Sequence, residues 1–326
     1  MVLTCKRTLH GCFASGRYTP VLMFAFSLLL MLFAFWLPAS AVPVQLPREF
    51  SFLGGTVSRL VAILLFAISA TVLSVQTFFD RRVRWVGALY MWMVAISLFG
   101  NGNSVLALVS LLFVLSLALL LYCQLGMNPV RLLFTSFMLL GFMAFVSPYA
   151  LLLLPLYVSF SFFANIFSPR GLVASLLGLV TPFWLILGAE YVFSGSGELA
   201  GYIAGGFASA LDVSSVNHSF SALLLLALAL LLLLPAIVTF VGSASPAKPL
   251  LRRRLSFIMV ADAYLLLLCC IMGDGAAIFY FLHLFCQAVL ASYLFSGKET
   301  KSMNLFFIFV NIIMVAIATE ALWLKH

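Results

Sequence analysis

Long apolar stretches separated by short polar gaps follow one another along the whole chain. They are rich in Leu, Ala and Phe, and they lack the period-two alternation that is typical of half-buried strands. Each is close to the roughly 20 residues that an α-helix needs to cross the hydrocarbon core of a bilayer. The pattern predicts an all-α polytopic bundle, one domain over 1–326, with about eleven spans (ten to twelve). These spans are 20–37, 56–78, 85–100, 104–122, 132–147, 149–167, 172–193, 219–241, 255–272, 275–296 and 304–323.

The basic residues alternate between rich and poor gaps. Most of the 17 Lys and Arg fall in the N-terminal segment 1–19 and in every second gap after it, including 81–84 and 248–254. Because cytoplasmic loops collect Lys and Arg while translocated loops exclude them, the alternation predicts a cytoplasmic N-terminus. It also makes 194–218 the longest outer segment. We expect an uncleaved first span, although 20–37 and the small residues after it also resemble a signal peptide, whose cleavage would leave ten spans.

Composition excludes a water-soluble globular protein, since 65% of the residues are hydrophobic and 8% are charged. Membrane lipids are therefore the expected surroundings. The net charge of +8 is spread over loops as topology signals, so no nucleic-acid partner is expected. The six cysteines lie in predicted cytoplasmic segments or spans, and their spacing indicates neither a disulfide framework nor a metal site. No cofactor is expected.

The outer segment 194–218 carries a second pattern. Gly197, Gly201, Gly205 and Ser209 recur every fourth residue, beside an apolar stripe at helical spacing. This predicts an interfacial or re-entrant helix around 196–212, whose small residues allow another backbone to approach closely. Two interpretations stay open, a helix packed on neighbouring spans and a lid that contacts a substrate.

Asp262 is the charged residue predicted to lie deepest in the membrane, where an unpartnered carboxylate costs at least a few kcal/mol. The next span returns through a tight turn at 273–275. At a rise of about 1.5 Å per residue, His283 lies at nearly the same depth as Asp262. We therefore predict an intramembrane polar pair, Asp262 and His283, with either a structural role or a role in proton or substrate handling.

The region 128–193 contains a series of predicted helices that are bounded by proline residues. Its landmarks are Ser147-Pro148-Tyr149, Phe167-Ser168-Pro169-Arg170-Gly171 and Thr181-Pro182-Phe183-Trp184. It resembles an uncharacterised family of multipass inner-membrane proteins from Bacteroidota. It is also faintly similar to the middle spans of polyprenyl-phosphate-sugar glycosyltransferases and envelope polysaccharide polymerases. The resemblance implies a bacterial inner-membrane location and a polyprenyl-linked glycan as substrate.

In those glycosyltransferases an acidic residue of the first outer loop acts as base or metal ligand. By this resemblance Glu49 is the catalytic candidate, although the paired acids and the large outer domain of such enzymes are missing. Arg48, Arg59, Glu190 and Asp212 are the substrate-binding candidates on the same predicted side. Three hypotheses stay open, namely an enzyme acting on a lipid-linked glycan, a transporter or flippase, and a non-catalytic membrane scaffold.

Overall fold

The protein is described here from a computed structural model, which describes residues 19–34, 55–75, 85–97, 104–124, 128–163, 166, 168–193, 200–201, 204–205, 230, 233–235, 249–272, 276–295, 301 and 304–313. The helices in these ranges are α1 (Thr19–Ala34), α2 (Gly55–Val75), α3 (Val86–Ser97), α4 (Ser104–Cys123), α5 (Pro129–Val146), α6 (Leu154–Phe163), α7 (Pro169–Phe193), α8 (Pro249–Ile271), α9 (Ala276–Phe295) and α10 (Asn304–Ile313). A 3-10 segment, Pro148–Leu153, joins α5 to α6. The described part of the chain is helical and contains no strand, as predicted.

Six of these helices, α2, α4, α5, α7, α8 and α9, are long and apolar enough to cross a membrane. The other four apolar segments are shorter than a full crossing, including α3 with 12 residues. The predicted span 219–241 and the predicted helix 196–212 lie almost entirely outside the described residues. The structure therefore confirms a helical, membrane-compatible fold with six candidate spans.

Helix α9 lies at the centre of one group of helices. It packs against α3, α4 and α8, and nearly every side chain from Ile278 to Phe295 is buried. Aromatic contacts fix its position: the ring of Phe281 stacks on Phe66 of α2 at 5.6 Å, and the ring of Phe285 meets Phe113 of α4 edge-on at 5.9 Å. A polar side chain on α9 is thereby kept away from both water and lipid.

Helices α5 and α7 run parallel, with backbones in close contact. A Cβ atom at Gly178 would lie 2.3 Å from the carbonyl oxygen of Phe134, and one at Gly141 would lie 2.5 Å from that of Leu179. Only glycine permits such an approach, which is how membrane helices gain packing energy without a hydrophobic driving force. Helix α5 also joins α4 through a buried serine pair, in which the hydroxyls of Ser116 and Ser136 lie 2.9 Å apart.

The predicted span 149–167 is not one continuous α-helix. Ser147 is extended, as expected of a residue before proline, and the chain then forms the 3-10 segment. Pro155 has no N–H to bond the carbonyl of Leu151, which receives the N–H of Leu154 instead. The chain thus turns at an irregular corner between α5 and α6, and beyond it the ring of Tyr157 contacts Phe137 of α5 at 5.7 Å.

Candidate intramembrane polar site

Helix α8 places Asp262 at its midpoint and on its buried face. Buried residues recur along this face at helical spacing, namely Ile258, Ala261, Leu265 and Leu268. The side chain of Asp262 is 1% exposed and points toward α9. A carboxylate at this position has lost its water, so its free energy depends on the partners that α9 supplies.

Two side chains of α9 engage the two carboxylate oxygens separately. Nδ1 of His283 lies 2.8 Å from Oδ1 of Asp262, and Nε2 of Gln287 donates a hydrogen bond to Oδ2 at 2.6 Å. His283 and Gln287 are four residues apart and therefore share one face of α9. Sequence reasoning placed Asp262 and His283 at one depth, and the structure brings them into contact.

The histidine contact is short, but its geometry is not that of a hydrogen bond, and it is an ion pair only when the imidazole is protonated and the carboxyl group is ionised. Within the described part of the chain, the hydrogen bond to the carboxylate comes from Gln287. The amide nitrogen of Gln287 donates this hydrogen bond, so Oδ2 acts as the acceptor. Oδ1 is left facing Nδ1 of the imidazole, and these two atoms can share a proton.

The possible charge states of the pair follow from this arrangement. Two bare lone pairs 2.8 Å apart would repel, so at least one proton lies on Oδ1 or Nδ1. When the pair holds one proton more than neutral imidazole and carboxylate do, it is neutral overall, either as imidazolium and carboxylate or as imidazole and carboxylic acid. Without it the pair carries a net charge of −1 in an apolar interior, which is much less favourable. The site can therefore bind and release one proton at an energetic cost that the helix packing sets.

Two further polar residues of α8 make contacts outside this pair. The hydroxyl of Tyr264 donates a hydrogen bond at 2.6 Å to the carbonyl of Leu152 in the 3-10 segment. The guanidinium of Arg254 is buried and donates to Oε1 of Gln124 and to the carbonyl of Leu121, both at 3.3 Å. Helix α8 is thus bonded to α9 at its middle, to the end of α4 near its start, and to the α5–α6 corner.

Sequence reasoning interpreted Arg254 only as part of a basic topology signal. The structure adds that its side chain is buried and bonds the last turn of α4. One sequence signal points to this role: Arg254 falls on the same helical face as Ile258, Ala261 and Asp262, at spacings of four and seven to eight residues. The involvement of Gln287 is likewise signalled by its position four residues after His283.

The remaining predicted site residues do not join this cluster where they are described. Arg59 lies near the start of α2 and Glu190 near the end of α7; both are half-buried and both interact with neighbouring groups. Arg48, Glu49 and Asp212 lie outside the described residues. The catalytic and substrate-binding roles assigned to these five residues stay predictions. In the described ranges, no group of three or more His, Cys, Asp or Glu residues could hold a metal ion.

Comparisons of the chain with protein-family models, with curated proteins and with solved structures give no match. The resemblance to Bacteroidota membrane proteins and to lipid-linked glycosyltransferases therefore stays a prediction. The side chains of Asp262, His283 and Gln287 are the features of the described structure that bear on function.

Proposed function

We propose that this chain is a proton-coupled membrane transporter in which Asp262 and His283 form the proton-binding site. The observation that carries the proposal is the 2.8 Å contact between an almost fully buried carboxylate and an imidazole, on helices α8 and α9, which pack against each other. Imidazole is the side chain whose ordinary pKa lies in the physiological range, so it can gain or lose a proton without extreme conditions.

A purely structural role explains the pair less well. Burying two ionisable groups costs several kcal/mol of desolvation, and their mutual attraction returns this cost only with good geometry. Apolar residues of similar volume would hold α8 against α9 at least as firmly, as the surrounding Leu, Ile and Phe contacts do elsewhere. Ionisable residues inside membrane spans are costly, and they commonly mark proton relays and transport pathways. The geometry thus favours transport over the scaffold hypothesis.

The proposed setting is the bacterial inner membrane, with about eleven spans, a cytoplasmic N-terminus and lipid around the bundle. In this orientation α8 leads outward and α9 returns, so Asp262 and His283 lie near mid-depth. The alternating Lys and Arg support the orientation. A polyprenyl-linked glycan as the transported or modified substrate is a separate proposal, which depends on Glu49 and is tested on its own below.

The proton-binding proposal is tested by pH-jump measurements on proteoliposomes adsorbed to a solid-supported membrane. A proton entering a site at membrane depth moves charge through the low-dielectric layer, so wild-type protein should give a transient current that scales with the amount of protein. The variant Asp262→Asn/His283→Gln keeps polar groups of similar size but no longer titrates, and it should give no such current.

Two controls make the measurement decisive. His218→Gln removes a different histidine and should leave the current unchanged. Size-exclusion profiles must show that the double variant is folded. A wild-type protein without a current above that of empty liposomes, or a double variant with an undiminished current, would overturn the proposal and leave the scaffold hypothesis in its place.

A further inference from the structure

Helix α8 contacts different partners on opposite sides within a single turn. Asp262 faces α9, whereas Tyr264, two residues later and about 200° around the helix, bonds the carbonyl of Leu152. Below this point the ring of Phe257 meets Phe160 of α6 at 4.2 Å. Helix α8 therefore lies between the proton-binding pair and the corner that joins α5 to α6.

The corner that Tyr264 bonds is the least regular part of the described bundle. Its six residues, Pro148–Leu153, form 3-10 turns, whose hydrogen-bond geometry is poorer than that of an α-helix. Proline at 148 and 155 prevents the chain from forming one continuous helix. Irregular backbone of this kind is tolerated at membrane depth where protein covers it, and in transporters such breaks are where helices bend.

We propose that Tyr264 couples the protonation of Asp262 and His283 to the 3-10 segment Pro148–Leu153, which acts as the hinge of a proton-driven gate. This inference rests on the proposed function. Tyr264 is a positioning residue in it, because it acts through the backbone of the hinge and does not touch the proton. The juxtaposition that carries the inference is a proton site and a hinge bond two residues apart on one helix.

Loss of a proton from the pair acts on the 3-10 segment through helix α8. When one proton leaves the pair for water, the net charge of the pair changes from zero to −1, and the attraction between imidazolium and carboxylate is lost. Helices α8 and α9 then no longer share their strongest polar contact. A rotation of α8 that carries the Tyr264 hydroxyl about 1 Å away from Leu152 lengthens the 2.6 Å bond beyond hydrogen-bonding distance and frees the Leu152 carbonyl. The hinge then loses its one side-chain tie to α8 in the described structure.

Other ionisable groups also lie around the pair. The thiols of Cys269 on α8 and Cys286 on α9 are close enough to interact electrostatically with Asp262, and the Tyr280 phenol lies next to Cys269. The helices packed against α9 contribute Tyr90 on α3, Tyr122 and Cys123 on α4, and Arg59 near the start of α2. These groups are thiols, phenols and a guanidinium, which remain in Asp262→Asn/His283→Gln, so a pH response that this double variant abolishes reports on Asp262 and His283.

The test is hydrogen–deuterium exchange of full-length protein in lipid nanodiscs at several pH values, with exchange times scaled for the intrinsic pH dependence of amide exchange. Peptides covering 147–154 should exchange about tenfold faster once the pair has lost its proton. In Tyr264→Phe, which keeps the ring and loses the hydroxyl, these peptides should exchange at the fast rate at every pH. Tyr191→Phe, at an exposed position near the end of α7, should behave as wild type.

The outcomes separate the coupling from the proposed function. If the pH-jump current is present but exchange at 147–154 does not depend on pH, the coupling is wrong and the proton site stands. If Tyr264→Phe accelerates exchange yet keeps the wild-type pH dependence, Tyr264 is only a structural tie and the coupling is likewise wrong. Loss of pH dependence in both Tyr264→Phe and Asp262→Asn/His283→Gln is the result that the coupling requires. Absence of the pH-jump current from wild-type protein would overturn both proposals together.

Discussion

The costs of removing Asp262 and His283 singly should add up to more than the cost of removing both. Asp262→Ala leaves an imidazole and the Gln287 amide without their partner in an apolar interior. Breaking a buried pair in this way costs about 3–5 kcal/mol in soluble proteins. His283→Ala leaves a buried carboxylate that must take up a proton or lose packing. The double substitution to alanine leaves neither charge, so only the cavity and the Gln287 amide remain to be accommodated.

The size of the coupling follows from the contacts. Each polar contact between membrane helices contributes about 0.6 kcal/mol on average and up to about 1.7 kcal/mol. A contact at 2.8 Å between two buried ionisable groups belongs in the upper part of that range. We expect a coupling free energy of about 0.5–2 kcal/mol between Asp262 and His283.

The assay is a double-mutant cycle on the free energy of unfolding, measured by SDS-driven unfolding in bicelles at fixed pH. A control cycle pairs Asp262→Ala with Ser27→Ala, a buried serine of α1 that bonds its own helix. The control effects should add to within about 0.5 kcal/mol. Additive effects in the Asp262 and His283 cycle itself would refute the energetic interpretation of the 2.8 Å contact, because two interacting residues cannot behave independently.

Three further predictions test packing, orientation and the catalytic hypothesis. Gly178→Ala should lower the free energy of unfolding by about 1–3 kcal/mol, since its Cβ would lie 2.3 Å from a carbonyl oxygen. The control Gly188→Ala has open space around its Cβ and should raise the free energy of unfolding by up to about 1 kcal/mol through helix propensity. Equal effects of the two variants in thermal unfolding would contradict the close contact of α5 and α7. Single-cysteine variants at Ser245 and Ser214 should react with impermeant reagents from the cytoplasmic and the outer side respectively, and labelling of position 245 from outside would reverse the predicted threading. Glu49→Gln should abolish an envelope-glycan phenotype at unchanged protein level if the chain acts on a lipid-linked glycan, and a surface glycan like that of wild type would eliminate this hypothesis.

The central polar contact was within reach of sequence reasoning because helix geometry is regular. Two spans joined by a turn that the sequence predicts to be tight should return at known depth, so 1.5 Å per residue is enough to bring Asp262 level with His283. The faces that α9 turns to its other neighbours were not predictable in the same way. Apart from His283 and Gln287, which mark the side toward Asp262, helix α9 is almost entirely apolar, so its sequence does not indicate which faces meet α3 and α4.

Packing between distant spans was also beyond the sequence. The parallel contact of α5 with α7 depends on Gly141 and Gly178, but glycines elsewhere in the chain, such as Gly188, face open space. Small residues permit close approach without specifying a partner. The interruption at Pro148–Leu153 was signalled by its prolines, yet the tie from Tyr264 to Leu152 joins residues 112 positions apart and required the three-dimensional structure.

The claim that Asp262 and His283 exchange a proton with water is tested most directly by ¹⁵N NMR of histidine-labelled protein in nanodiscs, with the His283 signals identified from their loss in His283→Gln. The proposal predicts that the ring nitrogens of His283 change protonation state within the pH range in which the protein is folded. It also predicts that the titration moves in Asp262→Asn, because the neighbouring carboxylate is part of the same site. An imidazole of His283 that keeps one protonation state over the whole range in which the protein is folded would contradict a proton-handling role.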